Sequence, residues 1–290
     1  MAEPAETAGT KVRAGEHHFA SDLSFAVKLV APDRALLRAP LTGAVRSAAG
    51  SARMGVLVTL ADVVASDPAL AACLPDWTAT QDLNLHAAAP LIGGPIVVDA
   101  QLLRVGKRVV VVEVDVFDGC GVEAFDPLVS AIDGGHDVRL AGRGLVVFAR
   151  LPGTAAGGAF AADHDPRRML GQERHRTPAA ALDDAYEKMG IEVLDAAAGL
   201  VQMERTPYVA NSIGTINGGA QAVLIEAAAE AMRPGMAATD MQIHYLSQIK
   251  VGPARTLGTA TRIKPRPASS PASPPPSRAR RTRSSRMNAP

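Results

Sequence analysis

An acidic residue inside an apolar segment is the first candidate for chemistry. Asp62 lies in the segment GVLVTLADVVA, between apolar neighbours. Burying an unpaired carboxylate costs free energy and raises its pKa, so such a group is usually paired or acts as an acid or base. The alternative is an acid on the rim of a helix, where it is solvated or caps another element. Thr80 stands at the start of the next strand candidate and offers a hydroxyl, although threonine also suits a half-buried strand.

A glycine-rich loop later in the chain is suited to binding a negatively charged oxygen. The loop NSIGTINGG, residues 211–219, brings Gly218 and Gly219 to the first turn of a predicted helix. Unpaired N–H groups and the positive end of the helix dipole favour an anionic oxygen there. The loop therefore has the outline of an oxyanion hole. The alternative is that the glycines only allow a tight turn.

The sequence contains an internal repeat. GVLVTLAD (Gly55–Asp62) and GAQAVLIE (Gly219–Glu226) each run from a glycine to an acid and lie 164 residues apart. TQDLNLHAAAPLIGG (80–94) and ATDMQIHYLSQIKVG (238–252) share an acid, an alternating pattern and a distal glycine, with a separation of 158 residues. Two tandem copies of one fold are the simplest explanation.

The two copies differ in their loops. Glu226 takes the place of Asp62 in the second copy, either as a second acid or as a remnant of the duplication. The first copy has Ser47, Arg53 and Met54 where the second has Asn211, Asn217 and Gly218. The first loop is therefore degraded as an oxyanion hole.

Helix geometry determines how these parts combine. Asp62 follows Gly55 by seven residues, which is roughly 10 Å along a helix. A base and an oxyanion donor must both lie close to one carbonyl group, so one helix cannot supply both. If the two helices pack antiparallel, each composite site takes its acid from one copy and its loop from the other. One site keeps its parts, and the other lacks most of them.

The loop, helix acid and strand together resemble a known family. The pattern N-x-x-G-x-x-[H/N]-G-G, seven residues before a helix acid, followed by an (S/T)-x-D strand, resembles hotdog-fold acyl-CoA thioesterases of the phenylacetate-pathway type. The resemblance covers roughly residues 23–263 and is specific only in the two loop–helix–strand segments. It implies an α+β fold, here a tandem double hotdog, in which each copy wraps an antiparallel sheet around a central helix.

The resemblance also implies roles for individual residues. The Gly218 amide and the Asn211 side chain would polarise the thioester carbonyl, Asp62 would act as base or nucleophile, and Thr80 would hold water. The substrate-binding candidates are Gly214, Asn217 and Gly219, and the residues of the degenerate second site are Glu226, Ser47 and Met54. Two features depart from the family pattern. Asn217 replaces the usual histidine, and the first copy's loop lacks its asparagine and the first glycine of its pair.

Elements and domains follow from the hydrophobic pattern. Strand candidates lie at 80–87, 96–104, 108–117 and 138–150 in the first copy and at 199–204, 240–247 and 256–263 in the second. Residues 50–66 are predicted to form a glycine-punctuated loop that leads into a buried apolar helix, and further helices are predicted at 178–189 and 220–232. The predicted organisation is a disordered lead at 1–20, copy one at 21–151, a linker at 152–178, an incomplete copy two at 179–263, and a disordered tail at 264–290.

The tail begins where the second copy still lacks strands. Residues 264–290 contain seven prolines and seven basic residues but no Val, Leu, Ile or Phe. Such a segment cannot add strands or bury much surface. Its abrupt start is explained better by a reading-frame change than by a functional basic tail, which stays the alternative.

Composition excludes several classes of protein. The chain has 290 residues, of which 47% are hydrophobic, so it can form a sizeable core. Without the basic tail it has 23 basic and 29 acidic residues, which does not suggest a nucleic-acid surface. Two cysteines without metal spacing, no signal-peptide core and no uninterrupted membrane-length apolar run predict a cytoplasmic protein that is not a membrane protein.

The functional prediction is hydrolysis of an acyl thioester, with acyl-CoA as substrate, at one composite site. No metal or redox cofactor is implied, and coenzyme A is part of the substrate. A homo-oligomer of double-hotdog chains is left open. The main alternative is an acyl-CoA-binding regulatory protein without turnover. A hotdog hydratase is less well supported, because His86 and His244 lie on strands and not near the helix acid.

Overall fold

A computed structural model describes residues 18–152, 165–178, 181–211 and 214–261. The predicted tail at 264–290 and most of the predicted lead lie outside these residues. The predicted domain limits remain predictions.

A long helix, α2, forms the centre of the first half. It spans Met54–Cys73 and is buried along nearly its whole length. The apolar pattern predicted a helix in residues 50–66, yet α2 continues through Pro68. Proline removes one helical hydrogen bond, but most of the residues beyond it are buried, with Ala69 and Cys73 fully so, and this burial compensates for the loss.

By length and composition, α2 is the one helix in the described residues that could span a membrane. However, 78% of its most hydropathic 18-residue window is buried inside the protein. Its apolar character is therefore explained by its position in the core.

An eight-stranded antiparallel sheet wraps around α2. The sheet has the order β10-β3-β6-β5-β4-β2-β1-β7, and α2 contacts strands β1 to β6 and β10. The strands are β1 Ala26–Ala31, β2 Arg34–Ala39, β3 Trp77–Ala87, β4 Ile96–Val105, β5 Val109–Asp118, β6 Arg139–Leu151, β7 Glu173–His175 and β10 Asp240–His244. A large antiparallel sheet around a central helix is the predicted α+β fold, consistent with a hotdog, and this prediction is confirmed.

The outer face of the sheet carries a helix that the sequence analysis did not identify. Helix α3, Phe125–Gly134, buries Phe125 and Leu128 against Leu36 and Val97 of the sheet. The short helix α1, Phe19–Asp22, buries Phe19, so ordered structure begins within the predicted disordered lead. Strand β7 lies in the predicted linker and pairs with β1, so the linker contributes to the sheet.

The second half contains a smaller sheet and its own helix. Strands β8 (Ile191–Asp195), β9 (Leu200–Met203) and β11 (Ala254–Arg255) form a three-stranded sheet, and helix α5 spans Gly218–Met232. The chain order β8, β9, α5, β10, β11 repeats the order β1, β2, α2, β3, β4 of the first half. The predicted helix at 178–189 is shorter in the structure, where α4 covers only Ala185–Met189.

Hydrogen bonds in the two halves also correspond. A β-bridge joins Arg46 to Ala52 and another joins Ala210 to Ile216, at the predicted separation of 164 residues. The Arg53 amide donates to Val45, and the Asn217 amide donates to Val209 in the same relation. These matched contacts support the repeat inferred from sequence.

Strands β3 and β10 join the halves through a nearly symmetric pairing. His86 lies opposite Asp240 and His244 lies opposite Asp82, and each imidazole is hydrogen-bonded to the facing carboxylate. The two histidines are therefore strand residues, as the sequence analysis expected.

The second half is less complete than the first. Within residues 181–211 and 214–261, no strands correspond to β5 and β6, which fill the sheet between β3 and β4 in the first half. The strand predicted at 256–263 was wrong over 256–261, because only Ala254–Arg255 pairs with β9. As a result, Ile225 on α5 is 40% exposed, whereas Ala61, its equivalent on α2, is fully buried.

Candidate active site

Helices α2 and α5 pack antiparallel with close backbone contact. A Cβ atom at Gly55 would lie 2.8 Å from the Val223 backbone, and one at Gly219 would lie 2.5 Å from the Thr59 side chain. Residue numbers therefore rise along α2, from Gly55 to Thr59, as the numbers of the facing α5 residues fall from 223 to 219. The N-terminus of each helix lies beside the middle of the other, as the composite-site argument requires.

Asp62 is held next to Thr80. The Thr80 hydroxyl donates a 2.6 Å hydrogen bond to the Asp62 carboxylate. The Asp62 side chain keeps some contact with solvent, but the surrounding protein desolvates it and raises its pKa to about 6, an effect that the Thr80 hydrogen bond partly opposes. A carboxylate with this pKa can accept a proton near neutral pH and release it again.

The N-terminus of α5 leaves one amide available. The N-cap residue Asn217 accepts hydrogen bonds through its side-chain oxygen from the Gly219 amide at 2.8 Å and the Ala220 amide at 3.3 Å. The Gly218 amide has no acceptor among the described residues. The Gly218 amide is therefore the group in the first turn of α5 that could donate a hydrogen bond to a substrate oxygen.

Tyr245 was not identified from the sequence and lies between these groups. Its hydroxyl donates to the Gly218 carbonyl at 3.1 Å, and its ring atoms lie 3.1 Å from where a Gly218 Cβ would be. Burial raises the pKa of Tyr245, and the charge of Asp62 raises it further. Tyr245 follows β10, and its amide bonds to the Gln81 carbonyl beside Thr80. Tyr245 therefore connects the Asp62 side of the site to the Gly218 side.

The remaining loop residues have structural contacts. The Asn211 side-chain oxygen accepts from the Thr215 amide, and Gly214 has a φ of +78° while its carbonyl accepts from Arg205. These contacts stabilise the loop before α5. The substrate-binding roles of Asn211, Gly214 and Asn217 stay predictions, and the observed contact of Gly219 is with Thr59 in the helix interface.

The corresponding region at the other end of the helix pair is closed. Glu226 accepts hydrogen bonds from the Met54 amide at 2.8 Å and the Gly55 amide at 2.7 Å. Burial raises the pKa of Glu226 to about 7, although both amides oppose the increase. Arg53 forms a 2.6 Å ion pair with Glu230 next to these amides. The donors that would form an oxyanion hole here are bound by the protein's own acid.

The acids at the two ends differ in length and in the groups that they bond. Glu226 is one methylene longer than Asp62 and reaches the amides of the opposite helix. Asp62 instead bonds Thr80, and the Gly218 amide remains unbound among the described residues. Ser47, the last residue of the predicted degenerate site, bonds Ser51 within its own loop.

The match to a protein family covers the first half of this site. Residues 50–124 match the thioesterase superfamily. This thioesterase-superfamily region contains α2 and the strands β3, β4 and β5 of the large sheet, and it includes Asp62 and Thr80. The superfamily named by the sequence resemblance is therefore confirmed for residues 50–124, and the match supports a thioesterase-type activity.

Several solved structures resemble the chain over about half its length. A conserved protein from Pseudomonas aeruginosa is 20% identical, with 51% of this chain and 100% of that chain covered and a TM-score of 0.36. A mutant of the phenylacetic acid degradation protein PaaI from Thermus thermophilus is 18% identical, with coverages of 46% and 98% and a TM-score of 0.35. A Bacillus halodurans protein solved with CoA is 23% identical, with coverages of 41% and 68% and a TM-score of 0.32. The comparison with curated proteins gave no match.

Proposed function

We propose that the chain hydrolyses an acyl thioester carried by coenzyme A, at one site between α2 and α5. The observation that carries this proposal is the free Gly218 amide at the helix end that faces Asp62, in contrast to the Met54 and Gly55 amides, which Glu226 occupies. An unbound helix amide and a carboxylate with a pKa of about 6 are the two groups that thioester hydrolysis needs.

The proposed mechanism uses groups of this chain alone. Asp62 accepts a proton from a water held by Thr80 as the water oxygen attacks the carbonyl carbon. The Gly218 amide stabilises the negative oxygen of the tetrahedral intermediate. The carbon–sulfur bond then breaks, and the sulfur leaves as coenzyme A thiol after taking the proton from Asp62. Direct attack by Asp62, which would give an anhydride that water hydrolyses, stays open.

We further infer that the second half is a second hotdog copy. The repeated element order, the matched β-bridges and the antiparallel helices support this interpretation. In this arrangement copy one supplies Asp62 and Thr80, and copy two supplies Gly218 and Tyr245. We also propose that the reaction uses no metal or redox cofactor, because these groups provide the base and the oxyanion donor.

One observation favours the alternative of acyl-CoA binding without turnover. Atoms of the Tyr245 ring and its hydroxyl lie 3.1–3.2 Å from where a Gly218 Cβ would be, so this side chain packs closely against Gly218. A Tyr245 side chain fixed in this position would leave little room for a thioester beside Gly218. The alternative predicts binding of acyl-CoA without release of free coenzyme A.

A thiol-release assay tests the proposal. The chain is incubated with short, medium, long and aromatic acyl-CoAs, and free coenzyme A is measured together with direct binding. Thiol release from at least one member supports hydrolysis. Binding without release supports the alternative, and neither binding nor release from any member would exclude both.

A pair of acid variants identifies the site. Asp62→Asn should lower hydrolysis by about 10²–10⁴-fold while the fold is kept, because it preserves shape and removes the base. Glu226→Gln should change the rate little, because Glu226 is bound to Met54 and Gly55. Circular dichroism checks the fold of both variants. Equal losses of activity would contradict a single site.

A further inference from the structure

A polar cavity lies away from the Asp62 site. It has a volume of about 290 Å³ and lies at the ends of β1 and β2, near the residues that precede α3 and follow β7. Its polar lining residues are Ser24, Arg38, Glu123, His175, Arg176 and Thr177. At about 30 Å³ per water molecule, the space can hold several waters or one small polar group.

Arg38 is the central feature of this cavity. It is partly buried, and its guanidinium group lies over the Phe125 ring at 5.4 Å. Within the described part of the chain, the Arg38 side chain forms no hydrogen bond or ion pair, and its Nε atom is enclosed without a partner. A partly buried arginine without an acceptor is costly, because its desolvation is not offset by hydrogen bonds.

Arg34 on the same strand shows the usual arrangement. Its guanidinium group donates hydrogen bonds to both oxygens of the Asp99 carboxylate and a further hydrogen bond to the Asp133 carboxylate. Arg38 lies two residues beyond Leu36 on the same face, but its neighbours across the sheet are Ala26 and Val97, which have no side-chain acceptor. Arg34 of β2 is therefore paired within the protein, whereas Arg38 of the same strand is available to a group bound in the cavity.

The other lining residues make the cavity positive. Arg176 is exposed and has no ion pair among the residues the structure describes, and its backbone amide is fixed to the Phe25 carbonyl at 2.8 Å. Ser24 and Thr177 offer hydroxyl donors. Glu123 is the one acid in the lining, so two arginines face a single carboxylate. This set of donors suits an oxyanion better than a cation or an apolar group.

We propose that this cavity binds a phosphate group, with Arg38 and Arg176 as its main contacts. The guanidinium group presents paired donors that match phosphate oxygens, and the hydroxyls can supply further bonds. The site is built from β1, β2 and the segment after β7, and it shares no residue with the Asp62 and Gly218 cluster. The phosphate can be inorganic or part of a larger molecule, including a nucleotide.

Thermal unfolding with inorganic phosphate tests the site. Phosphate in the millimolar range should raise the Tm of the whole chain in a saturable manner, because binding to the folded state stabilises it. Arg38→Gln and Arg176→Gln should each reduce the affinity at least tenfold. Glu123→Gln should increase the affinity, since it removes the carboxylate that repels the ligand. Arg104→Gln, an exposed arginine outside the cavity, should behave as wild type.

The opposing results are distinct. An equal Tm increase in wild type, Arg38→Gln and Arg104→Gln would show a general salt effect and overturn the proposal, as would no increase in wild type. Acetate at equal ionic strength should have a weaker effect than phosphate, and an equal effect would contradict a phosphate site. If Arg38→Gln fails to fold, the phosphate affinity of Glu123→Gln still tests the proposal. An increase supports it, and no increase contradicts it.

Two further arms identify the source of the phosphate. If adenosine 3′-phosphate binds more tightly than inorganic phosphate and Arg38→Gln abolishes the difference, the phosphate belongs to a nucleotide. If both bind equally, the site takes free phosphate. Neither result depends on thioester hydrolysis, so failure of the proposed function leaves this test unchanged.

Discussion

At the residue scale, the acids on α2 and α5 differ by one methylene group and bond different partners. Glu226 reaches the amides of Met54 and Gly55, whereas Asp62 bonds Thr80. Among the described residues, the Gly218 amide is left without an acceptor at the end where the acid bonds Thr80.

This contrast predicts that Asp62→Glu closes the site although it keeps a carboxylate. The longer side chain should bond the Gly218 amide, as Glu226 bonds Met54 and Gly55. Loss of the oxyanion donor should lower kcat by about 10²-fold or more, with no loss of Tm. Steady-state thiol release and thermal unfolding measure both effects. Glu226→Asp is the matched control and should leave the rate unchanged, and an unaltered rate in Asp62→Glu would contradict the interpretation.

The raised pKa of Asp62 predicts the pH dependence of activity. The base must be ionised, so the rate should rise about tenfold per pH unit below pH 6 and level off above it. The profile of initial rate against pH from 4.5 to 8 measures this. A rate that is independent of pH across pH 6 would exclude Asp62 as the base.

The same pKa predicts an opposite effect on stability. The folded-state pKa is about 6 against an ordinary value of 3.8, so the folded chain holds the proton more tightly than the unfolded chain. The contribution of Asp62 to the free energy of unfolding therefore falls as the pH rises from about 4 to 6. Asp62→Asn should gain on the order of 1–3 kcal/mol relative to wild type over this window, as measured by urea unfolding at pH 4 and pH 7.

At the element scale, the close contact between α2 and α5 depends on glycine. A side chain at Gly55 would meet backbone atoms of Val223 at 2.8 Å, which cannot move without displacing α5. The position of Gly218 relative to Asp62 depends on this contact.

Gly55→Ala should therefore destabilise the protein and reduce activity together. Overpacking of this kind costs about 1–3 kcal/mol, more than the gain in helix propensity from alanine. Gly43→Ala is a suitable control, because a Cβ there meets nothing within 4 Å. It should change the free energy of unfolding by less than about 0.5 kcal/mol. If both variants unfold at the same denaturant concentration, the helix contact is not tight.

At the scale of the whole molecule, the second half leaves apolar surface uncovered. Leu246 is 93% exposed, Val251 and Leu257 are each 82% exposed, and Ile225 faces solvent on α5. The strands that cover the equivalent face of α2 have no counterparts in the described part of the second half. Exposed apolar surface beside an unpaired strand edge favours association.

We expect the chain to self-associate and to be less stable than a version completed with strands like β5 and β6. Sedimentation and thermal unfolding compare the 290-residue chain, a chain cut after Lys264, and the completed chain. Leu246→Lys with Val251→Lys should reduce association, whereas Leu103→Lys on the first half should not. If cutting the tail costs as much stability as completion restores, the tail is a structured element. If the cut changes nothing, the missing strands account for the deficit.

Much of the fold could be predicted from the sequence because local pattern determined it. The apolar run at α2 and the Val-rich strands β4, β5 and β6 lie close to their predicted positions. Helix α3 and strand β7 were not predicted. Helix α3 lies in a segment rich in glycine and aspartate, whose local sequence is typical of turns. Strand β7 is three polar residues that form a strand only by pairing with β1.

The sequence by itself determined the acid, the loop and their repetition, because these depend on residues close together in the chain. Packing decided the rest. The roles of Tyr245 and Glu226 depend on contacts with residues 27 and more positions away, and no local pattern encodes these contacts. Which helix amides are bound by an acid of the other helix depends on contacts across the α2–α5 interface. Those contacts exist only once the two helices lie antiparallel.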